Sequence, residues 1–173
     1  MEHETAQQLE ALHTDSFGWA MHCCGGNPSR AEDVLQNAYL KVVAGRADFS
    51  GSSSFKTWWF GVIRLTALEE HRRLRHRESL LSRLLAQVTG HPQSSPPCPA
   101  RQMEAGERIQ ELKQALACLP ARQAEVLHLV FYQDLTVNEA AAVMKISPGS
   151  ARQHYERGKA RLRTLLQSPA PAH

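Results

Sequence analysis

The sequence has few of the residues from which metal sites and disulfide frameworks are built. Its 173 residues include four cysteines, and none of them forms a CxxC pair or a zinc-finger spacing with histidine. The adjacent Cys23 and Cys24 cannot readily bond to each other, so the pattern indicates reduced thiols. We therefore expect no metal and no cofactor, and a redox or metal input through His22, Cys23 and Cys24 is left as an unfavoured alternative.

Long apolar runs are also missing. No segment approaches the roughly 18–20 apolar residues that cross a bilayer, and the acidic start, residues 1–4, lacks the apolar core of a signal peptide. We expect a cytoplasmic chain that does not insert into membranes.

Clusters suited to catalysis are absent as well. An enzyme acting on nucleic acid needs grouped carboxylates, a metal site, or a nucleophile with its base. The nearest candidate is Glu69-Glu70-His71, but adjacent helical residues point to different sides of the helix. We predict no catalytic residues and a function other than an enzyme's.

Helical spacing fills the sequence between its glycine- and proline-rich breaks, and no alternating strand pattern is convincing. The fold class is predicted to be all-α, with two small helical domains joined by a flexible Pro/Ser-rich linker. The predicted bounds are 5–86 for the first domain, 87–103 for the linker, 104–167 for the second domain and 168–173 for a disordered tail.

Start and stop signals give several helix boundaries. Capping boxes are predicted at Ser29–Glu32 and Thr136–Glu139, and Gly45 marks the end of the first of these helices. Pro120 suits the first turn of a helix, and Ser147-Pro148 begins another. A further helix starts near Phe55, and a separate, weaker segment covers 79–86.

Charge is small overall but unevenly distributed. The formal net charge is +3, yet arginines crowd 72–77 and basic residues close the chain at 152–163. Local basic stripes attract phosphate even when the net charge is low. A solvated helix face is the alternative for either stripe.

The segment from Thr136 to Leu166 has the pattern of a helix-turn-helix: a short capped helix, a tight connection, then a longer helix. Arg, Gln and Glu near the start of the second helix suit guanine, adenine and cytosine edges, whereas later basic residues suit phosphate. Two amphipathic helices in a plain bundle are the alternative. The predicted DNA contacts are Ser150, Arg152, Gln153, Glu156, Arg157, Lys159 and Arg161.

The run LPARQAEVLHLVFYQDLTVNEAAAVMKISPGSARQHYERGKARLRTLL, residues 119–166, closely resembles region four of sigma-70 family factors. The resemblance implies a domain that binds the minus-thirty-five promoter element and the flap of the polymerase beta subunit. The family pattern also appears earlier in the chain. AEDVLQNAYL, residues 31–40, resembles region two of the same family.

Within this earlier segment a polar stripe with one exposed leucine is predicted opposite the apolar positions, which are taken to include Val42 and Val43. The resemblance implies that it binds the beta-prime clamp of core RNA polymerase; a solvated face is the alternative. The predicted polymerase contacts are Asp33, Gln36, Asn37 and Leu40.

The stretch DFSGSSSFKTWW, residues 48–59, is similar to the end of region two, which captures a base of the minus-ten element. Small hydroxyl residues and glycine allow close approach to a base, while Phe55 and Trp58 are taken mainly as core. The sequence departs from the family at Leu65, where asparagine is usual, so no contact is assigned there. The predicted downstream contacts are Ser50, Gly51, Ser52, Ser53, Lys56, Arg64, Arg72 and Arg73.

The two resemblances occur in family order with a linker between them, and the chain has no room for the extra domain of housekeeping factors. They imply an extracytoplasmic-function sigma factor whose partners are core RNA polymerase, promoter DNA and an anti-sigma factor. The alternative is a conventional helix-turn-helix repressor or activator, which would bind a two-fold operator without being a polymerase subunit.

Overall fold

The computed structural model describes residues 2–86, 112 and 114–167, and all the regular structure in these residues is helical. The helices are α1 (Glu2–Ala11), α2 (His13–Cys23), α3 (Pro28–Val43), α4 (Phe55–Ala86), α5 (Ala121–Phe131), α6 (Val137–Met144) and α7 (Pro148–Gln167). The all-α prediction is confirmed. The predicted linker and tail, and 104–111, lie outside the described residues, so the domain bounds stay predictions.

The chain divides into two compact units. Helices α1 to α4 belong to the first unit, while α5 and α7 belong to the second, with α6 between them in the chain.

The first unit is built on mutual packing of α2, α3 and α4, with α1 against α2. Its core holds large side chains with no exposed surface, among them Trp19, Trp59 and Phe60. The indole N–H of Trp19 donates to the Phe60 carbonyl at 3.0 Å. Large aromatic side chains bury much apolar surface here, and each indole N–H that is buried needs an acceptor.

Helix α3 begins two residues earlier than the predicted capping box. Asn27 is the N-cap, because its side chain accepts the Arg30 backbone N–H at 3.0 Å and Pro28 occupies the first helical position. Ser29 therefore lies inside the helix, and the capping-box prediction there is wrong. Proline fixes the backbone for a first turn, which makes the preceding asparagine the better cap.

The predicted end of α3 at Gly45 is confirmed. Gly45 has φ 62°, and its N–H donates to Val42 O at 3.0 Å while that of Arg46 donates to Lys41 O at 2.8 Å. This is the paired Schellman arrangement that a left-handed residue permits. Val43, which the sequence assigned to the apolar face, is 84% exposed, so that assignment is wrong.

Helix α4 starts at Phe55 as predicted but continues without a break to Ala86. The separate segment predicted at 79–86 is therefore part of one 32-residue helix. Ser54 caps its start, accepting the Thr57 backbone N–H at 3.2 Å. Helix α5 begins at Ala121, so Pro120 is its N-cap rather than its first helical residue.

In the second unit, α5 packs against α7, and Gly158 permits the close approach. A Cβ added at Gly158 would stand 3.1 Å from Leu127 Cδ1 and 3.3 Å from Gln123 Cβ. Both distances are shorter than ordinary carbon contacts. The glycine thus fixes the distance of α7 from α5, and with it the placement of the face that α7 turns to solvent.

Candidate nucleic-acid interface

A capped helix and a tight turn precede α7. The predicted Thr136–Glu139 capping box is confirmed: Glu139 accepts from the Thr136 N–H at 2.9 Å, and the Glu139 N–H donates to Thr136 Oγ1 at 3.2 Å. Helix α6 ends at Met144, and Lys145, the next residue, has φ 53°. The Ile146 N–H then donates to Ala141 O at 3.1 Å. The Ser150 N–H then donates to Ser147 Oγ at 3.1 Å, which begins α7 as predicted.

Helix α7 presents a buried side and a solvent side, as its sequence predicts. Ala151 and Gly158 are buried, and Leu162 and Leu165 are half-buried. Of the seven predicted contacts six are exposed and Lys159 is half-buried. The exposed six are Ser150, Arg152, Gln153, Glu156, Arg157 and Arg161. This placement leaves their side chains accessible; their DNA contacts stay predictions.

Lys159 and Glu156 form an ion pair within α7. Lys159 Nζ lies 3.0 Å from Glu156 Oε1 and 4.3 Å from the centre of the Tyr155 ring. The Tyr155 ring in turn stacks on Phe131, with centroids 6.0 Å apart. A cytosine amino group would therefore compete with Lys159 for the Glu156 carboxylate, while the aromatic pair holds the lysine in place.

The predicted polymerase stripe lies on the solvent side of α3. Asp33, Gln36 and Leu40 are exposed and Asn37 is half-buried, with Leu40 exposed by 57%. Lys41, by contrast, turns toward α4, where its Nζ lies 2.7 Å from Glu69 and 3.0 Å from Thr66 Oγ1. The stripe is thus left with an acid, two amides and a leucine.

The serine-rich loop between α3 and α4 is accessible. Ser50, Gly51 and Ser52 are exposed and Ser53 is half-buried. The hydroxyls of Ser50 and Ser52 are 3.1 Å apart, and Gly51 has φ 73°, a conformation that disfavours any side chain. An aromatic cluster anchors the loop, since the Phe49 ring lies 5.3 Å from Phe55 and 5.4 Å from Trp58.

Two of the predicted downstream contacts differ from a simple exposed cation. Lys56 Nζ is 2.9 Å from Asp15 Oδ2 and 5.5 Å from the Phe60 ring centre, so it is partly engaged within the unit. Arg64 is only 6% exposed. A phosphate contact would require this side chain to leave its buried position. Arg64 is therefore removed from the predicted DNA contacts.

Arg72 and Arg73 are exposed, as a phosphate contact requires. Arg73 also pairs with Glu70 in the previous turn, at 3.0 Å. An exposed pair of this kind is weak and opens readily.

The region around Cys24 does not form a metal site within the described residues. Burial raises the pKa of the Cys24 thiol; Arg30 lowers it and Asp33 raises it by smaller amounts. Its neighbour Cys23 is half-buried. A thiol with a raised pKa has a smaller fraction of the reactive thiolate at neutral pH.

The structure also reveals exposed aromatic surface that the sequence analysis did not single out. Phe131 and Tyr132, at the end of α5, are 58% and 56% exposed. Helical spacing could have found them, because Val126, Leu127 and Leu129 already fill the buried side of α5.

Comparison with known proteins identifies both units. The profile described as Sigma-70 region 2 matches residues 9–77, and that of Sigma-70, region 4 matches residues 115–164. The RNA polymerase sigma factor CarQ of Myxococcus xanthus is 30% identical over 143 residues, covering 81% of this chain and 76% of CarQ. The chain belongs to the sigma-70 family of RNA polymerase sigma factors. Relatives that include the ECF RNA polymerase sigma factor SigX of Bacillus subtilis place it in the extracytoplasmic-function (ECF) subfamily, as the resemblance implied.

Other sigma factors are similar over nearly the whole chain. SigX of Bacillus subtilis is 26% identical over 168 residues, which are 95% of this chain and 84% of SigX. Among solved structures, the sigma factor RpoE in complex with the anti-sigma factor NepR from Bartonella quintana has a TM-score of 0.69 at 24% identity, covering 96% of this chain and 99% of RpoE.

CnrH in complex with the cytosolic domain of CnrY has a TM-score of 0.64 at 18% identity, covering 98% of this chain and 92% of CnrH. At these identities the two structures support the shared fold.

In the described part of this sigma factor, no helix combines the length and apolar character that a membrane span requires.

Proposed function

We propose that this sigma factor binds core RNA polymerase and directs it to promoters by recognising a minus-thirty-five and a minus-ten element. The observation that carries the proposal is the order of two family regions along the chain, the second of which contains a capped helix-turn-helix with an exposed basic face. In this role the chain is a regulatory subunit that needs no catalytic group of its own.

The upstream element is assigned to α7. Arg152 and Gln153 are exposed close to its start, the end that meets base edges when such a helix enters the major groove. Arg157 follows on the same solvent side, and Arg161 and Lys159 are set further along, where phosphate contacts fix the register of the helix without reading sequence.

The first unit is assigned two contacts. The stripe of Asp33, Gln36, Asn37 and Leu40 would bind the beta-prime clamp, since it offers a carboxylate and an exposed leucine on one helix face. The loop at 50–53 would capture an unstacked minus-ten base, and Arg72 and Arg73 would contact the phosphate backbone of the DNA. Unstacking a base costs a few kcal/mol, so capture favours the melted duplex.

An anti-sigma factor is the further partner we propose. The relatives of similar fold are RpoE in complex with the anti-sigma factor NepR, and CnrH in complex with the cytosolic domain of CnrY. Because its target would be the transcription machinery, we assign the chain to the cytoplasm.

Reconstituted transcription tests the proposal. The purified chain is added to sigma-free core polymerase with promoter fragments from its own genome, and runoff transcripts are measured. We expect transcripts that require the chain, that are lost in Asp33→Arg through lost core binding, and that fall in Arg157→Ala while core binding stays normal.

Matched controls separate these surfaces from general effects of charge. Glu32→Arg makes the same charge change one residue earlier, about 100° around α3 from Asp33, and should retain core binding. If the chain forms no complex with core polymerase but binds a two-fold duplex site tightly by itself, it is a conventional repressor or activator and the proposal fails.

A further inference from the structure

Four side chains at the end of α5 and the middle of α7 contact one another in sequence, from an exposed ring to a carboxylate predicted to read a base. Phe131, the last residue of α5, is 58% exposed, and its ring stacks on that of Tyr155 with centroids 6.0 Å apart. Lys159 Nζ lies 4.3 Å from the centre of the Tyr155 ring and 3.0 Å from Glu156 Oε1. We call these four residues the α5–α7 cluster.

Lys159 is held from two directions within the α5–α7 cluster. The face of the Tyr155 ring attracts its ammonium group, and the Glu156 carboxylate attracts it by charge. An exposed ion pair ordinarily contributes little, because two long side chains lose rotamer freedom when they pair. Here the ring restricts one partner beforehand: the Lys159 side chain is 34% exposed, whereas that of Glu156 is 62% exposed. The carboxylate therefore has a preformed cationic partner on α7.

A carboxylate in the major groove discriminates between bases because only some of them can satisfy it. Cytosine offers its N4 amino group as a donor, whereas guanine presents two acceptors, N7 and O6. Against guanine, an unpaired carboxylate would lose water and gain no donor, and such a penalty against the wrong partner is a source of specificity. A carboxylate that is already paired with Lys159 keeps a donor whichever base it faces. The ion pair thus reduces the difference in affinity between the two bases.

We propose that Lys159, positioned by Tyr155 and Phe131, makes the upstream base pair facing Glu156 tolerant of substitution. Lys159 is then the residue that determines specificity at that position, and the two aromatic residues are positioning residues that act through it. An ammonium group has three N–H donors, so the ion pair leaves donors for the phosphate contact proposed above. The inference rests on the proposed function and adds to it how strictly one upstream base pair is read.

Loss of the lysine should make recognition stricter, which general damage to the fold would not do. Full-length chain is bound to core polymerase, and the affinity of this holoenzyme is measured for promoter fragments with each upstream base pair changed in turn. Lys159→Met should lower the affinity for every fragment and, at one base pair, raise the preference for cytosine over guanine from near unity to about fivefold. Adding Glu156→Ala should remove this gain, because the gain depends on the carboxylate. The preference is a ratio for one holoenzyme, so weaker core binding cancels.

Phe131 and Tyr132 provide a matched pair of variants at the end of α5. Both rings are exposed, by 58% and 56%, but Tyr132 stacks on His128, with centroids 5.1 Å apart. Phe131→Leu should raise the cytosine preference about twofold, on the scale of an exposed cation–π contact, and Tyr132→Leu should leave it unchanged. Phe131→Tyr keeps a ring for stacking and should behave as the unmodified chain does. In the Lys159→Met background, Phe131→Leu should have no further effect.

Several results would contradict the inference while leaving the proposed function standing, provided that the chain starts transcripts. If Lys159→Met changes the preference at no base pair, the lysine contacts phosphate alone. A strong cytosine preference already present in the unmodified chain would mean that the ion pair does not relax recognition. No rise in Phe131→Leu, or an equal rise in Tyr132→Leu, would show that the stacked rings do not position the lysine. Absence of core binding and of transcripts in the unmodified chain would instead mean that the proposed function itself has failed.

Discussion

The indole N–H of Trp59 donates to the hydroxyl of Ser16 at 2.7 Å, joining α4 to α2 in the centre of the first unit. Both side chains have no exposed surface. Ser16 is in turn a donor to the Leu12 carbonyl at 2.6 Å, so a single hydroxyl accepts one hydrogen bond and donates another. Without it, the indole N–H would be buried with no acceptor in its place.

Ser16→Ala should therefore lower the free energy of unfolding of the first unit by roughly 1–3 kcal/mol, the cost of a buried donor left without a partner. Urea unfolding followed by circular dichroism measures it. Trp59→Phe removes the donor, and in the double variant the serine change should cost much less than it does alone. Additive costs would mean that the hydrogen bond does not contribute.

The start of α3 gives a second prediction. Asn27→Ala removes the side chain that accepts the Arg30 N–H and should cost about 1 kcal/mol. Ser29→Ala is the matched control, because Ser29 is exposed inside the helix, and it should change stability by only a few tenths of a kcal/mol. The reverse order in thermal unfolding would restore the capping box predicted from sequence.

These two cases mark what a sequence can and cannot predict. The Thr136–Glu139 cap was predicted because all its atoms lie within one turn, and no better cap stands nearby. At α3 two cap signals overlap, and Pro28 decides between them by fixing the backbone. The bond between Ser16 and Trp59 joins residues 43 positions apart, and no local pattern indicates which buried serine meets which indole.

The candidate site divides along the same line. The solvent face of α7 and the stripe on α3 follow helical period, so their exposure was predicted from sequence. Burial of Arg64 was not, since arginine is normally a surface residue and its position depends on how α4 packs. The pairing of Lys56 with Asp15 likewise depends on the distance between two helices, which periodicity does not give.

Two helical glycines should respond oppositely to substitution. Gly61→Ala should raise the free energy of unfolding by about 0.5–1 kcal/mol, because it removes backbone freedom and its Cβ meets nothing within 4 Å. Gly158→Val should lower it by about 1–3 kcal/mol through overpacking against Leu127 and Gln123. Calorimetry can resolve both. A destabilising Gly61→Ala or a neutral Gly158→Val would contradict the packing described above.

Alkaline pH should destabilise the first unit. Burial raises the pKa of Cys24 and of Tyr39, so the folded state holds these protons more tightly than the unfolded state does. Their contribution is fully present below the unfolded pKa values and is lost as pH rises through the folded ones. Thermal unfolding across the alkaline range should show a shallower decline in Cys24→Ala than in the unmodified chain.

Cys118→Ala is the control for that pH dependence, because Cys118 is a half-buried thiol in the second unit. The slope of stability against pH, rather than absolute stability, is the quantity to compare, since removing either sulfur also changes packing. An unchanged slope in Cys24→Ala would show that its ionisation is not linked to folding.

Arg152 and Arg161 should differ in what they contribute to promoter binding. Both are exposed on α7, but Arg152 stands near the helix start, where base edges are reached, and Arg161 is about 13 Å further along. Under the proposed function Arg152→Ala should cost roughly 1–3 kcal/mol at one base pair and relax the preference there. Arg161→Ala should weaken every sequence equally and reduce the salt dependence of binding by about one phosphate.

Holoenzyme binding to promoter fragments with each upstream base pair changed in turn, at several salt concentrations, separates the two effects. A phosphate contact carries no sequence information, so it appears in the salt slope and not in the base preference. If both substitutions reduce only the salt slope, α7 lies along the backbone instead of entering the groove. Base specificity would then have to come from the shape of the upstream element.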